Sequence, residues 1–166
     1  HRLKKTLPNS IETYHTNQTS TYPLIKIVLG KGNPQRVLIS AGIHGDEPGS
    51  VESLLSFLQD EHYLPYINNL EITLLPCINP YGYEFGTREN HQGKDLNRLF
   101  KVDEPPIEVF FAQSILRIPF ELTIELHEDN ESTGYYLYQK GIDAKDDKLG
   151  LEILDAIKNI MPINLD

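Results

Sequence analysis

The chain has 166 residues, enough for one compact domain with its own core, and its 39% apolar and 23% charged content are those of a globular protein. Its 24 acidic against 15 basic side chains leave a formal charge of −9, which argues against a general nucleic-acid binder with a basic face. No apolar run is long enough to cross a bilayer, and the single cysteine, Cys77, cannot form an internal disulfide.

Residues 1–21 are rich in Thr, Asn and Ser and read as a polar arm with weak structure. Residues 22–166 read as a single domain. Leu24–Leu29 has the composition of a strand, and Gly30–Pro34 is dense in turn formers. Arg36–Ala41 comes next as a second, nearly all-apolar strand, so the two predict a hairpin. Val51, Leu54, Leu55 and Leu58 fall on one face of a helix over Gly49–Gln59. Glu71–Cys77 is another apolar strand. Pro106–Ile118 predicts a helix with Val109, Phe110, Phe111 and Ala112 packing inward. Glu121–Leu126 is a strand that ends at a histidine, and Tyr135–Gln139 reads as a further strand. Asp146–Met161 predicts an amphipathic helix, with Leu149, Ile153, Leu154, Ile157 and Ile160 on one side. Strands alternating with helices imply an α/β sheet with parallel members and helices on its faces.

The residues just after each buried strand are informative. Arg36–Ala41 runs into Gly42-Ile-His44-Gly-Asp-Glu47, Glu71–Cys77 into Ile78-Asn79-Pro80, and Glu121–Leu126 into His127-Glu128-Asp129. In open α/β sheets, ligands bind beyond the carboxyl ends of the parallel strands. His44 and Glu47, three apart at a helix start, can aim an imidazole nitrogen and a carboxylate oxygen at one point. A second histidine, His127, from another strand completes two nitrogens and one carboxylate. That donor set, with an open fourth position for water, is a known catalytic zinc arrangement. His1, His15, His62 and His91 lack such placement and are expected at the surface.

The stretch Asn79–Phe100 is long, polar and glycine-bearing, as functional loops often are. Its arginines, Arg88 and Arg98, could grip a carboxylate by paired hydrogen bonds. Here the chain resembles the zinc carboxypeptidase family of funnelin-type metallopeptidases, including its bacterial amidase-like members. The matching pieces are His44-Gly-Asp-Glu47-Pro, Asn79-Pro-x-Gly-Tyr83, Thr-Arg88-x-Asn90, Asp95-Leu-Asn97-Arg98-x-Phe100 and Glu125-Leu-His127. They occur in the family's order and cover roughly residues 24–139.

The resemblance implies a three-layer αβα fold around a mixed, partly parallel twisted sheet. It implies one zinc ion held by His44, Glu47 and His127. Asp95 would hold the imidazole of His44, Arg88 would stabilise the oxyanion, and Asn97 with Arg98 would bind the substrate's terminal carboxylate. The implied substrate is a peptide or acylated amino acid with a free carboxylate; neither nucleic acid nor a membrane is expected as a partner. The related succinylglutamate desuccinylase and aspartoacylase type, which cuts N-acyl amino acids, is the alternative. The family's general-base Glu lies on a later strand, and no segment after Gly141 reads as such a strand. Glu152 sits on a helical pattern as a surface charge, and Glu128 is the remaining candidate base. The sheet is therefore expected to lack its last strands, and a metal- or carboxylate-binding module without catalysis is a third reading. The single cysteine is compatible with the cytoplasm, the favoured location, and with the periplasm.

Overall fold

The computed structural model describes residues 11–14, 21–141 and 147–164. Two compact units emerge, residues 1–128 and 129–166. The first holds five strands: β1 (Ile11–Tyr14), β2 (Leu24–Leu29), β3 (Gln35–Ala41), β4 (Leu70–Leu75) and β5 (Leu122–Leu126). It also holds the helices α1 (Pro48–Gln59), α2 (Pro80–Phe85) and α3 (Ile107–Leu116). The strands form one sheet in the order β1-β2-β4-β3-β5. Strand β3 is parallel to β4 on one side and to β5 on the other, with Ile39 level with Leu74 and with Ile124. Strands β1 and β2 are antiparallel to their neighbours. The mixed, partly parallel sheet expected from the sequence is what forms.

Alternation along the strands divides the core in two. Ile27, Leu29, Ala41, Ile72 and Leu74 pack with Val51, Leu54 and Leu58 of α1. Leu24, Leu38 and Leu75 pack with Val109, Phe111, Ala112 and Ile115 of α3. The result is helix, sheet and helix in three layers. Phe110, expected inside, is 43% exposed, because successive residues of a helix are turned about 100° apart and its neighbours Val109 and Phe111 take the inward face.

The expected hairpin does not form. β4 lies between β2 and β3 and bonds to both. The turn is as tight as its glycines suggested: Gly30 and Gly32 have φ of 61° and 96°. It joins strands two places apart and is held by β4. Asn33 Nδ2 donates to Ile67 O at 2.7 Å. Glu71 accepts from Gly32 N at 2.7 Å and from Arg36 Nε at 3.0 Å. A Cβ on Gly30 would stand 2.2 Å from Leu70 O, so side chain and backbone both close the turn against β4.

In the second unit, the expected strand over Tyr135–Gln139 reduces to one parallel bridge between Tyr135 and Ile163. Two bonds make it, Tyr135 N to Pro162 O at 2.7 Å and Asn164 N to Tyr135 O at 2.8 Å. Helix α4 (Asp147–Ile157) stops short of the predicted end, and Ile160 is 82% exposed.

Glu71 gives the turn a testable signature. The Gly32 N–H, aided by Arg36, holds its carboxyl below the ordinary 4.5 despite some burial. A depressed folded pKa adds stability that is present above the unfolded value and lost as pH falls through the folded one. Glu71→Ala is expected to cost about 1 kcal/mol in urea unfolding at pH 7, and the gap to wild type should narrow below about pH 4. A gap that stays constant down to pH 3 would refute the ionic contribution of Glu71.

Candidate metal and catalytic site

Parallel pairing brings the ends of β3, β4 and β5 to one edge. Beyond the strands, Ile78 N donates to Ala41 O at 3.0 Å and Asn79 N to Gly42 O at 2.8 Å, so the two post-strand segments stay side by side. His44 comes after β3 and is 3% exposed. Glu47 is the N-cap position of α1, whose first helical residue is Pro48. His127 directly succeeds β5.

These three side chains meet. His44 Nδ1 lies 2.7 Å from Glu47 Oε1, and His127 Nδ1 lies 2.8 Å from Glu47 Oε2. The imidazole centroids are 5.1 Å apart. One donor atom from each residue falls within 4.8 Å of the others. Two imidazoles thus turn the same nitrogen towards opposite oxygens of one carboxylate. Either a proton on each Nδ1 or a shared cation would satisfy that arrangement, and two nitrogens with one carboxylate is a donor set suited to zinc.

The far side of His44 supports the cation. Its Nε2 is buried without a hydrogen bond, and Asp95 Oδ1 stands 3.3 Å away outside hydrogen-bond alignment. A ligating histidine generally donates its other N–H to a carboxylate, which fixes tautomer and ring orientation. With Nδ1 on a metal, Nε2 would carry the proton, and Asp95 is the carboxylate beside it, at 3.3 Å. The residues present therefore fit a bound divalent ion.

Asp95 is a hub for the loop. Its Oδ2 lies 3.1 Å from Arg88 Nε and 3.9 Å from Arg98 Nε, and its Oδ1 accepts from Asn97 N at 3.1 Å. Burial works to raise its pKa, but Arg88, His44 and the Asn97 N–H hold it below the ordinary 3.8. Arg88 also approaches Glu47, with Nη1 at 3.7 Å from Oε1. Burial likewise works to raise Glu47, and the Glu128 N–H with the two imidazoles brings it below 4.5. Glu125, then Glu47, raises His127 above 6.5 against the effect of its burial. Arg98 is 79% exposed and Asn97 is exposed, which leaves both free to meet a ligand from solvent.

Helix α2 lies within the stretch read from sequence as a loop. Asn79, fully buried, caps it by accepting from Gly82 N at 2.9 Å. The same side chain donates to Arg88 O at 3.2 Å, so the end of β4 fixes the backbone of the arginine. The Asn-Pro pair carried that signal, since Asn is a strong N-cap and Pro suits the first helical position. Glu128 turns its carboxylate to Gly49 N, at 2.7 Å. His62 is exposed and His91 sits 3.7 Å from Glu108. His1 and His15 lie outside the described residues.

Comparison with known proteins bears on the family and the fold. The model of the succinylglutamate desuccinylase/aspartoacylase catalytic domain matches residues 33–165. Murein peptide amidase A of Escherichia coli (strain K12) is 38% identical over 78 residues, which are 47% of this chain and 31% of that protein. A metallo-carboxypeptidase from Burkholderia cenocepacia superposes with a TM-score of 0.72 at 17% identity, over 95% of this chain and 47% of its own. Bovine thrombin-activatable fibrinolysis inhibitor, solved with tick carboxypeptidase inhibitor, superposes with a TM-score of 0.70 at 21% identity, over 96% of this chain and 69% of its own. These two structures share the fold. The chain spans about a third of the length of the amidase.

Gly45, between His44 and the α1 start, permits this packing. A Cβ there would lie 1.9 Å from the carbonyl carbon of Gly82 and 2.3 Å from Tyr83 N. Both are backbone atoms, so the clash can be relieved only by moving α2 or His44. Gly45→Ala is expected to destabilise the fold by about 2 kcal/mol or more in urea unfolding, and an unchanged midpoint would contradict the close approach.

Proposed function

We propose, from the premise that this chain belongs to the succinylglutamate desuccinylase/aspartoacylase catalytic-domain family, that it is the zinc-binding part of a hydrolase cutting an amide bond beside a free carboxylate, with peptides as the first substrate class. The convergence of His44 and His127 Nδ1 on the two oxygens of Glu47 carries this reading. One zinc ion held by His44, Glu47 and His127 would lower the pKa of a bound water and polarise the substrate carbonyl.

The chain's own residues take the remaining roles. Asp95 orients His44 and holds the Arg88 guanidinium in place. Arg88, close to the Glu47 carboxylate, stabilises negative charge developing on the carbonyl oxygen. Asn97 and Arg98, on the exposed rim of the same loop, receive the substrate carboxylate by charge-assisted hydrogen bonds. A second reading, hydrolysis of N-acyl amino acids, draws support from the family match itself. The likeness to a murein peptide amidase supports the peptide reading. Free-carboxylate peptides, cell-wall peptides and N-acyl amino acids, offered side by side, separate the two by kcat/KM.

Calorimetric titration of zinc into the metal-stripped chain is expected to show one ion per chain, with binding lost in His127→Ala. Absence of binding in the wild-type chain would remove the foundation of the reading. In the active protein, Arg88→Ala is expected to lower kcat by about 10²–10³-fold with a smaller change in KM, since its contact strengthens in the transition state. A variant that keeps wild-type turnover would overturn the role of Arg88.

A further inference from the structure

Helix α1 begins at the metal cluster, and its first turn has an unusual arrangement. The N-cap position of a helix ordinarily supplies a side-chain oxygen to the N–H two or three residues on. Glu47 occupies that position, but its carboxylate is directed to the two histidines and makes no capping bond. Pro48 has no N–H to satisfy. The next N–H belongs to Gly49 and is the first orphan donor of the helix. Glu128 supplies the acceptor from across the sheet edge: its Oε2 lies 2.7 Å from Gly49 N. Its own backbone N–H donates to Glu47 Oε2 at 3.2 Å.

We infer that Glu128 is a positioning residue that sets the separation of His127 from Glu47 by capping α1 in place of Glu47. Glu128 adjoins His127 in the chain, and Gly49 lies two residues beyond Glu47. The two hydrogen bonds therefore form a closed loop between the start of α1 and the end of β5. His127 reaches the cluster from a strand whose other side has no partner among the described strands. Without the loop, the β3–β5 pairing and the direct contact of His127 with Glu47 would be left to fix that distance.

The fit at Gly49 is tight. A Cβ there would stand 2.9 Å from Glu128 Oε2 and 3.2 Å from its carboxyl carbon, so the glycine makes room for the carboxylate. The negative charge also lies at the positive end of the α1 dipole. These contacts engage one of the two carboxylate oxygens, Oε2.

The inference rests on the zinc reading above, and a pair of variants separates it from that reading. Glu128→Gln keeps an acceptor oxygen at the same reach and removes the charge. Glu128→Asp keeps the charge and shortens the reach by one methylene. Zinc is titrated by calorimetry into the metal-stripped chain and both variants. The Gly49 amide resonance is tracked by NMR in the metal-free proteins, where zinc has no influence.

Glu128→Gln is expected to stay within about fivefold of wild-type zinc affinity, the cost of the lost dipole interaction, and to keep the Gly49 amide at its hydrogen-bonded position. Glu128→Asp is expected to bind zinc about 10–100-fold more weakly, with the Gly49 resonance displaced. Wild-type affinity in the Asp variant overturns the positioning role. So does a loss in the Gln variant equal to or greater than that in the Asp variant, since charge and not reach would then matter. Failure of the wild-type chain to bind zinc would sink the metal reading and this inference with it, and is seen before either variant is measured.

Discussion

The site depends on a parallel pairing. Strand β3 is bonded on both edges, to β4 and to β5, with all three running the same way. Parallel strands place their carboxyl ends at one edge, so His44, Asn79 and His127 arrive together although up to 83 residues of chain separate them. No side chain in the cluster needs to reach far, and none adopts the role by folding back from a distant loop.

Around that edge, two carboxylates each serve more than one partner. Glu47 faces both imidazoles and the Glu128 N–H. Asp95 faces His44, two arginines and the Asn97 N–H. Charges taken partly out of water are tolerable only when so paired. The overall charge of −9 is therefore no guide to the local field, because the loop beside the cluster contributes Arg88 and Arg98.

Much of this was legible in the residues. His44, Glu47 and His127 stood close behind apolar runs, and position after a strand is local information. The strands themselves were visible because their apolar content is continuous. Pairing was not: the Gly30–Pro34 turn has hairpin chemistry, yet the partner of β2 is set by a strand some 45 residues away. Phe110 was misread because three aromatic or aliphatic residues in a row cannot share one helical face. The short helix α2 was hidden by Gly82 between two tyrosines, although Asn79-Pro80 marked its start. The capping role of Glu128 has no local signature at all, since its partner Gly49 is 79 positions distant.

The interposed β4 has a consequence for how the chain acquires its form. A two-residue hairpin can close in microseconds as an independent event. The turn after β2 keeps one bond of its own, Asn33 N to Gly30 O at 3.2 Å, but Gly32 N and the Asn33 side chain find their acceptors on Ile67, Leu70 and Glu71. Those bonds form only when the segment up to β4 returns beside β2, and the entropy of closing that longer loop is spent before they are made. The most turn-like segment in the sequence thus draws most of its hydrogen bonds from residues more than 30 positions away.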